Sequence, residues 1–177
     1  MKNKTLAVML LGGLLLAACV KMPELPAVEE QNAAPAAVAP ATVTLNVELP
    51  VFGEETTWKS ADYQGKPVLV AIMATWCPWC KRSLAALDAT TAAYAGQAEV
   101  VGIFIDSDPA LVEKVKKDYN IQSKILYKGR QAAEDLGADG FPHIILFDKN
   151  HKSVRVWGGY SDTLAEQYAK ELDKLLK

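Results

Sequence analysis

Seven apolar residues in a row, VLVAIMA at Val68–Ala74, run directly into TWCPWCK at Thr75–Lys81. An unbroken apolar run of that length predicts a strand covered on both faces, since a half-exposed strand would alternate with polar residues. Pro78, directly after Cys77, suits the first position of a helix, where a missing N–H leaves no hydrogen bond unmade. Strand, short turn and helix therefore set two thiols, Cys77 and Cys80, at the end of a buried strand. Along the helix, Leu84, Leu87 and Tyr94 recur on one face, and Gly96 is the expected terminator.

The alternation continues downstream. EVVGIFI (Glu99–Ile105) predicts a second buried strand, and Asp108-Pro109 opens a helix with Leu111, Val112, Val115 and Tyr119 expected to face inward. A short helix from Arg130 to Leu136 stops at Gly137, and HIILF (His143–Phe147) predicts a third strand. DKNHK (Asp148–Lys152) then turns the chain back through Ser153–Trp157 as an antiparallel partner. A last helix is expected from about Ser161-Asp162, burying Leu164, Tyr168, Leu172 and Leu175. This order predicts an α/β sheet with helices on both faces and an antiparallel hairpin at one edge.

The start of the chain has a different character. MKNKTLAVMLLGGLLLAA, residues 1–18, has two early lysines and then an apolar run too short to span a bilayer as a helix, which predicts a secretory signal peptide. Leu16-Ala17-Ala18-Cys19 resembles the bacterial lipobox, which implies that Cys19 carries a lipid and becomes the new N-terminus. Each buried methylene contributes about 0.8 kcal/mol, so two or three acyl chains hold a protein firmly on a membrane. Loss of Lys2 and Lys4 and of no acid would take the formal charge from -2 to -4. Residues 19–45, rich in Ala, Pro and Glu, lack a periodic apolar face and predict an extended tether, leaving 46–177 for one folded domain. With 19 Lys+Arg against 21 Asp+Glu and no basic block, nucleic acid is not an expected partner.

With Cys19 assigned to the membrane, two of the three cysteines are left, at the start of a helix in an exported chain. A thiolate is the nucleophile of disulfide exchange, and the unsatisfied N–H groups of a helix start favour it. Lys81 and Arg82 add positive charge in the next turn. Cys77 is thus expected to attack, and Cys80, one turn further in, to resolve the mixed disulfide. Trp76 is placed to shield the pair, and Trp79 to stay partly exposed and meet partners. A purely structural Cys77–Cys80 bridge would close so short a loop that it would stabilise little. Zinc needs about four ligands, and His143 and His151, the only histidines, are spaced wrongly to complete such a site.

MATWCPWCK (Met73–Lys81), the strand and helix order, and Gly140-Phe141-Pro142 just before HIILFD together resemble the thioredoxin superfamily and its membrane-tethered TlpA/ResA-like branch, over roughly Asn46 to Lys177. The resemblance implies a thioredoxin-like fold with a central mixed β-sheet, and a cis peptide bond at Pro142 lying against the two thiols. It implies a thiol–disulfide oxidoreductase with Cys77 and Cys80 catalytic and with Trp76, Pro78, Trp79, Phe141 and Pro142 facing the substrate. The redox dithiol would be the only cofactor, with no metal. Clients would be protein disulfides or dithiols, cytochrome c maturation intermediates or other exported thiols among them, and a membrane-bound donor would supply electrons. The setting would be extracytoplasmic, facing the periplasm or cell exterior. A copper-binding metallochaperone on the same fold is the alternative, although those proteins resemble CxxxC rather than CxxC. The sequence also departs from the family. Relatives commonly carry Asn or a buried acid six residues before the first cysteine, and often Glu three and Pro five residues after the second. Here those places hold Ala71, Ser83 and Ala85, so the proton acceptor expected for the resolving thiol is missing.

Overall fold

The computed structural model describes residues 42–177. The expected signal peptide, Cys19 and the tether up to residue 41 lie outside the described residues. In chain order the elements are β1 (Glu48–Pro50), β2 (Thr57–Lys59), β3 (Val68–Met73), α1 (Pro78–Ala93), β4 (Glu99–Phe104), α2 (Pro109–Asp118), β5 (Lys124–Leu126), α3 (Arg130–Asp135), β6 (His143–Phe147), β7 (Ser153–Gly158) and α4 (Leu164–Leu176). Five strands form the central sheet in the order β5-β4-β3-β6-β7. β3 runs parallel to β4, and β4 to β5, while β6 is antiparallel to both β3 and β7. Helices cover both sides of this mixed sheet, as the alternation of elements predicts.

β3 is central because nothing in it needs water. All six of its residues are buried, with Leu69, Ile72 and Met73 at 0% exposure, and each large apolar side chain taken fully out of water contributes about 1.5–3 kcal/mol. Its pairing also locates the site. Ile72 lies opposite His143 in the antiparallel ladder, so the residues just before β6 arrive beside the end of β3, where the chain leaves for Cys77. β4 ends at the same edge, with the Ile105 N–H donating to the Met73 carbonyl at 3.0 Å.

The β1–β2 hairpin, absent from the sequence reading, covers an edge that would otherwise be open. Val51 bridges to Leu126, and the Phe52 N–H donates to the Ile125 carbonyl at 2.8 Å, so β5 is capped by the segment between the two short strands. Trp58 of β2 is buried, and its indole N–H donates to the Glu99 carboxylate at 3.0 Å. On the same side of the molecule Gly129 is fixed by space rather than by dihedral. A Cβ there would stand 2.1 Å from Ile103 Cγ2 and 3.1 Å from the Phe104 carbonyl oxygen.

Four expectations need correction. In α2, Val112 and Val115 are buried, but Leu111 is 46% and Tyr119 48% exposed. Leu111 falls at the edge of a stripe that Val112 and Val115 define, and Tyr119 follows the last residue of the helix, so its side chain has left the helical face. His151 sits in the turn between β6 and β7, a place where a polar residue is expected at the surface, but its side chain is buried at 1%. Gln64 lies 3.1 Å from its Nδ1, and the Leu45 N–H donates to its carbonyl, so neighbouring segments roof the turn. Pairing also begins earlier than residue 46. The Val43 N–H donates to Ser153 Oγ at 2.8 Å, and Thr44 bridges to Lys152. Finally, α4 begins at Leu164, after a turn in which the Leu164 N–H donates to the Ser161 carbonyl at 3.2 Å.

Candidate active site

Cys77 is the N-cap of α1, in extended backbone at φ -80°, ψ 116°, with Pro78 as the first helical residue. An N-cap side chain accepts from the free N–H groups of the first turn, and here the acceptor is sulfur: the Cys80 N–H donates to Cys77 Sγ at 3.2 Å. On its other side the Cys77 thiol donates to the Phe141 carbonyl at 3.5 Å. The Phe141–Pro142 bond is cis, in accord with the resemblance. Pro142 is buried, and its carbonyl accepts from the Gly159 N–H at 2.9 Å. Three segments distant in sequence, the start of α1, the Phe141-Pro142 corner and the loop after β7, therefore meet around one sulfur.

Both cysteines are present as free thiols and both are buried, Cys77 at 4% and Cys80 at 1% exposure. Position rather than exposure separates their roles. Cys77, the N-cap, has its Sγ against the Phe141 carbonyl, whereas Cys80 sits one turn into α1. Burial pushes the Cys80 thiol well above the usual range, and its contact with the Cys77 sulfur adds to this; the backbone of Ala74 and of Cys80 opposes it weakly. No carboxylate is among the groups acting on it. Ser83, buried at 3%, donates its hydroxyl to the Cys80 carbonyl at 2.8 Å. Ala71 lies opposite Gly102 on one side and Ile144 on the other, packed in the centre of the sheet.

The two tryptophans do not close over the thiols. Trp76, expected to shield the pair, is 66% exposed and meets Phe141 edge-on, with ring centroids 6.1 Å apart. It projects outward because the chain turns sharply here, with the Cys77 N–H donating to the Ala74 carbonyl at 3.1 Å. Trp79 is 51% exposed, as expected, and stacks on Tyr160 with centroids 6.1 Å apart and 19° between planes. Pro78 is exposed between them.

Two neighbours of the site, Asp106 and Tyr160, escaped the sequence reading. Asp106 lies two residues beyond the end of β4, and its carboxylate accepts from the Thr75 N–H at 2.8 Å, which pins the turn carrying Trp76 and Cys77. A signal for it existed, since a polar residue just after a buried strand of an open α/β sheet lies at the edge where sites form. The same residue lines an open cleft of about 430 Å³ with Leu111, Lys128 and Arg130. Tyr160 and Arg82 form a stack with Trp79, described below, which no local pattern announces. His143, next to Pro142, is buried; burial holds its imidazole below the usual range against the opposing pull of Asp139, 3.6 Å away. Among the described residues no three His, Cys, Asp or Glu side chains converge to hold a metal ion.

A CxxC at the N-terminus of a helix, beside a cis proline that opens the neighbouring antiparallel strand, defines a thioredoxin-like protein. The chain belongs to the AhpC/TSA family, whose model matches residues 34–163. Thiol:disulfide interchange protein DsbE of Escherichia coli strain K12 is 32% identical over a region covering 61% of this chain and 63% of the relative, so the chain spans somewhat less than two thirds of that relative's length. The thioredoxin domain of a thiol-disulfide oxidoreductase from Bacteroides vulgatus superposes with a TM-score of 0.67 at 22% identity, covering 76% of this chain and 99% of that one. A secreted Mycobacterium tuberculosis disulfide oxidoreductase homologous to E. coli DsbE gives 0.63 at 18% identity, over 73% and 96%. These superpositions establish the fold.

Proposed function

We propose that this chain is an extracytoplasmic thiol–disulfide oxidoreductase, anchored by lipid on Cys19, that exchanges electrons with protein disulfides through Cys77 and Cys80. The observation that carries the reading is the position of Cys77 Sγ, which accepts the Cys80 N–H at 3.2 Å and faces the Phe141 carbonyl at 3.5 Å, next to cis Pro142. Disulfide exchange runs through the thiolate of the attacking cysteine. That thiolate attacks one sulfur of a client disulfide; a Cys77–client bond forms, the client's S–S bond breaks, and the other client sulfur leaves as a thiolate. Cys80 then loses its proton and attacks Cys77 Sγ, giving the Cys77–Cys80 disulfide and a reduced client. Two electrons pass from dithiol to disulfide without an organic cofactor. Trp76, Pro78, Trp79 and Phe141 form the surface on which the client docks. Clients are exported proteins, with cytochrome c maturation intermediates among them, and a membrane-bound donor restores the dithiol.

The reduced chain should convert one disulfide per molecule in a single turnover, with thiol titration showing two thiols lost from the protein for every two gained by the substrate. A chain that reduces neither insulin nor a small disulfide under these conditions is not an oxidoreductase. The anchor is tested separately. Labelled fatty acid should enter the wild type and remain with the membrane fraction, and Cys19→Ala should abolish both. Label retained by Cys19→Ala would remove the lipid assignment while leaving the redox chemistry untouched. Among the described residues no helix is long and apolar enough to cross a membrane.

A further inference from the structure

Of the five large apolar side chains left exposed among the described residues, Trp76, Trp79, Leu111, Tyr119 and Val154, two flank the dithiol. They differ in what they carry. Trp76 has only the edge of Phe141 against it, but Trp79 has the Tyr160 ring beside it, centroids 6.1 Å apart, and the Arg82 guanidinium 5.0 Å from its own centroid. Arg82 is also 5.9 Å from the Tyr160 centroid, so one cation covers both rings. The stack is tied to the exchange site at two points. Trp79 is the residue between Pro78 and Cys80, and Tyr160 follows Gly159, whose N–H donates to the Pro142 carbonyl at 2.9 Å.

The guanidinium is held but not neutralised. Among the described residues Arg82 takes part in no ion pair, and no side-chain hydrogen bond uses its donors. The acid close by in the loop, Asp162, makes no ion pair with Arg82; one of its oxygens accepts from the Tyr160 hydroxyl at 2.6 Å. Stacking on an aromatic face fixes a guanidinium while leaving its in-plane N–H donors free for a carboxylate. An arginine so prepared, on the rim of a site that must take a cysteine-bearing segment, suits an anionic residue of that segment.

We propose that Arg82, held on Trp79 and Tyr160, is a specificity-determining residue that selects client segments with an acidic side chain within about two residues of the reacting cysteine, a reach of roughly 7 Å in extended chain. The inference rests on the oxidoreductase reading above. It assigns to the α1 side of the site a preference that Trp76 and Phe141, which carry no charge, do not supply.

The test uses the reduced protein and symmetrical disulfides of one short peptide, in which the residues flanking cysteine are Glu, Ser or Lys. Attack on either sulfur of such a peptide gives the same Cys77 adduct, so only the flanking charge varies. The wild type should be oxidised about fivefold faster by the Glu peptide than by the Lys peptide at low salt, with the ratio shrinking at high salt, as for an exposed charge pair. Arg82→Gln should bring the ratio near one and Arg82→Glu should invert it. The ratio cancels any effect that the lost charge has on the thiolate itself. A wild-type ratio of one, or a ratio that survives Arg82→Gln and falls instead in Lys81→Gln, overturns the proposal. Reaction with none of the three peptides, the Ser peptide included, overturns the oxidoreductase reading and the proposal with it.

Discussion

Replacing Cys80 with alanine should stop turnover while leaving the first half of the exchange intact. Cys77 is the N-cap of α1 with its Sγ against the Phe141 carbonyl, whereas Cys80 is one turn further along the helix. A client disulfide is therefore expected to meet the first sulfur before the second. Without Cys80 nothing inside the protein attacks the Cys77–client bond, and release depends on an outside thiol. Turnover with insulin should fall by about 100-fold or more, and a client adduct, reversed by dithiothreitol, should accumulate on non-reducing gels. Cys77→Ala should give neither turnover nor adduct. The assignment is reversed if the adduct forms in Cys77→Ala and maps to Cys80. In cells, proteins retained by the Cys80→Ala trap would be the clients themselves, and their sequences beside the trapped cysteine would bear directly on the preference ascribed to Arg82.

The elements legible in the sequence were those that burial writes as composition. β3, β4 and β6 are covered on both faces, so each is an uninterrupted apolar run, and the two thiols follow directly from where the first of them ends. β1, β2 and β5 were missed because each has three residues, and the first two are ELP and TWK, with no pattern long enough to show a period. The pairing that brings Phe141 and Pro142 beside Cys77 came from family resemblance, since register between β3 and β6 is set by the whole sheet. Side-chain exposure was harder still. Trp76 was expected over the thiols because it precedes Cys77, but the direction of its side chain depends on a turn held by Ala74 and by Asp106, which comes from another strand. The stack of Arg82, Trp79 and Tyr160 joins the first turn of α1 to the loop after β7, and only the folded chain shows it.

The rate at which the mixed disulfide resolves should climb about tenfold for each pH unit between pH 6 and 8, because Cys80 attacks only as the thiolate and its ionisation lies far above this range. Burial is the main cause of that displacement, and it applies equally once Cys77 is bonded to the client. The direction follows from the sign of the shift: a raised thiol pKa leaves a small reactive fraction at neutral pH, and each unit of pH multiplies it. A neighbouring carboxylate could take the proton and flatten this dependence, but among the described residues none is seen to act on Cys80. Ala71 packs in the sheet between Gly102 and Ile144, and the Ser83 hydroxyl is committed to the Cys80 carbonyl at 2.8 Å. Mixed disulfides should consequently persist near neutral pH long enough to be trapped by acid quenching even in the wild type. Ser83→Glu places a carboxylate three residues beyond Cys80 on the same helical face, and should raise the resolution rate severalfold at pH 7 and little at pH 9. Ser83→Ala, which removes the hydroxyl without adding a base, should keep the wild-type slope. Glu at a position only 3% exposed also carries a burial penalty, so melting curves of both variants are needed beside the rates. The wild-type slope stands independently of either variant: a resolution rate that is flat from pH 6 to 8 would mean that proton removal from Cys80 does not limit the reaction, and that a base outside the described contacts, or a client group, supplies it.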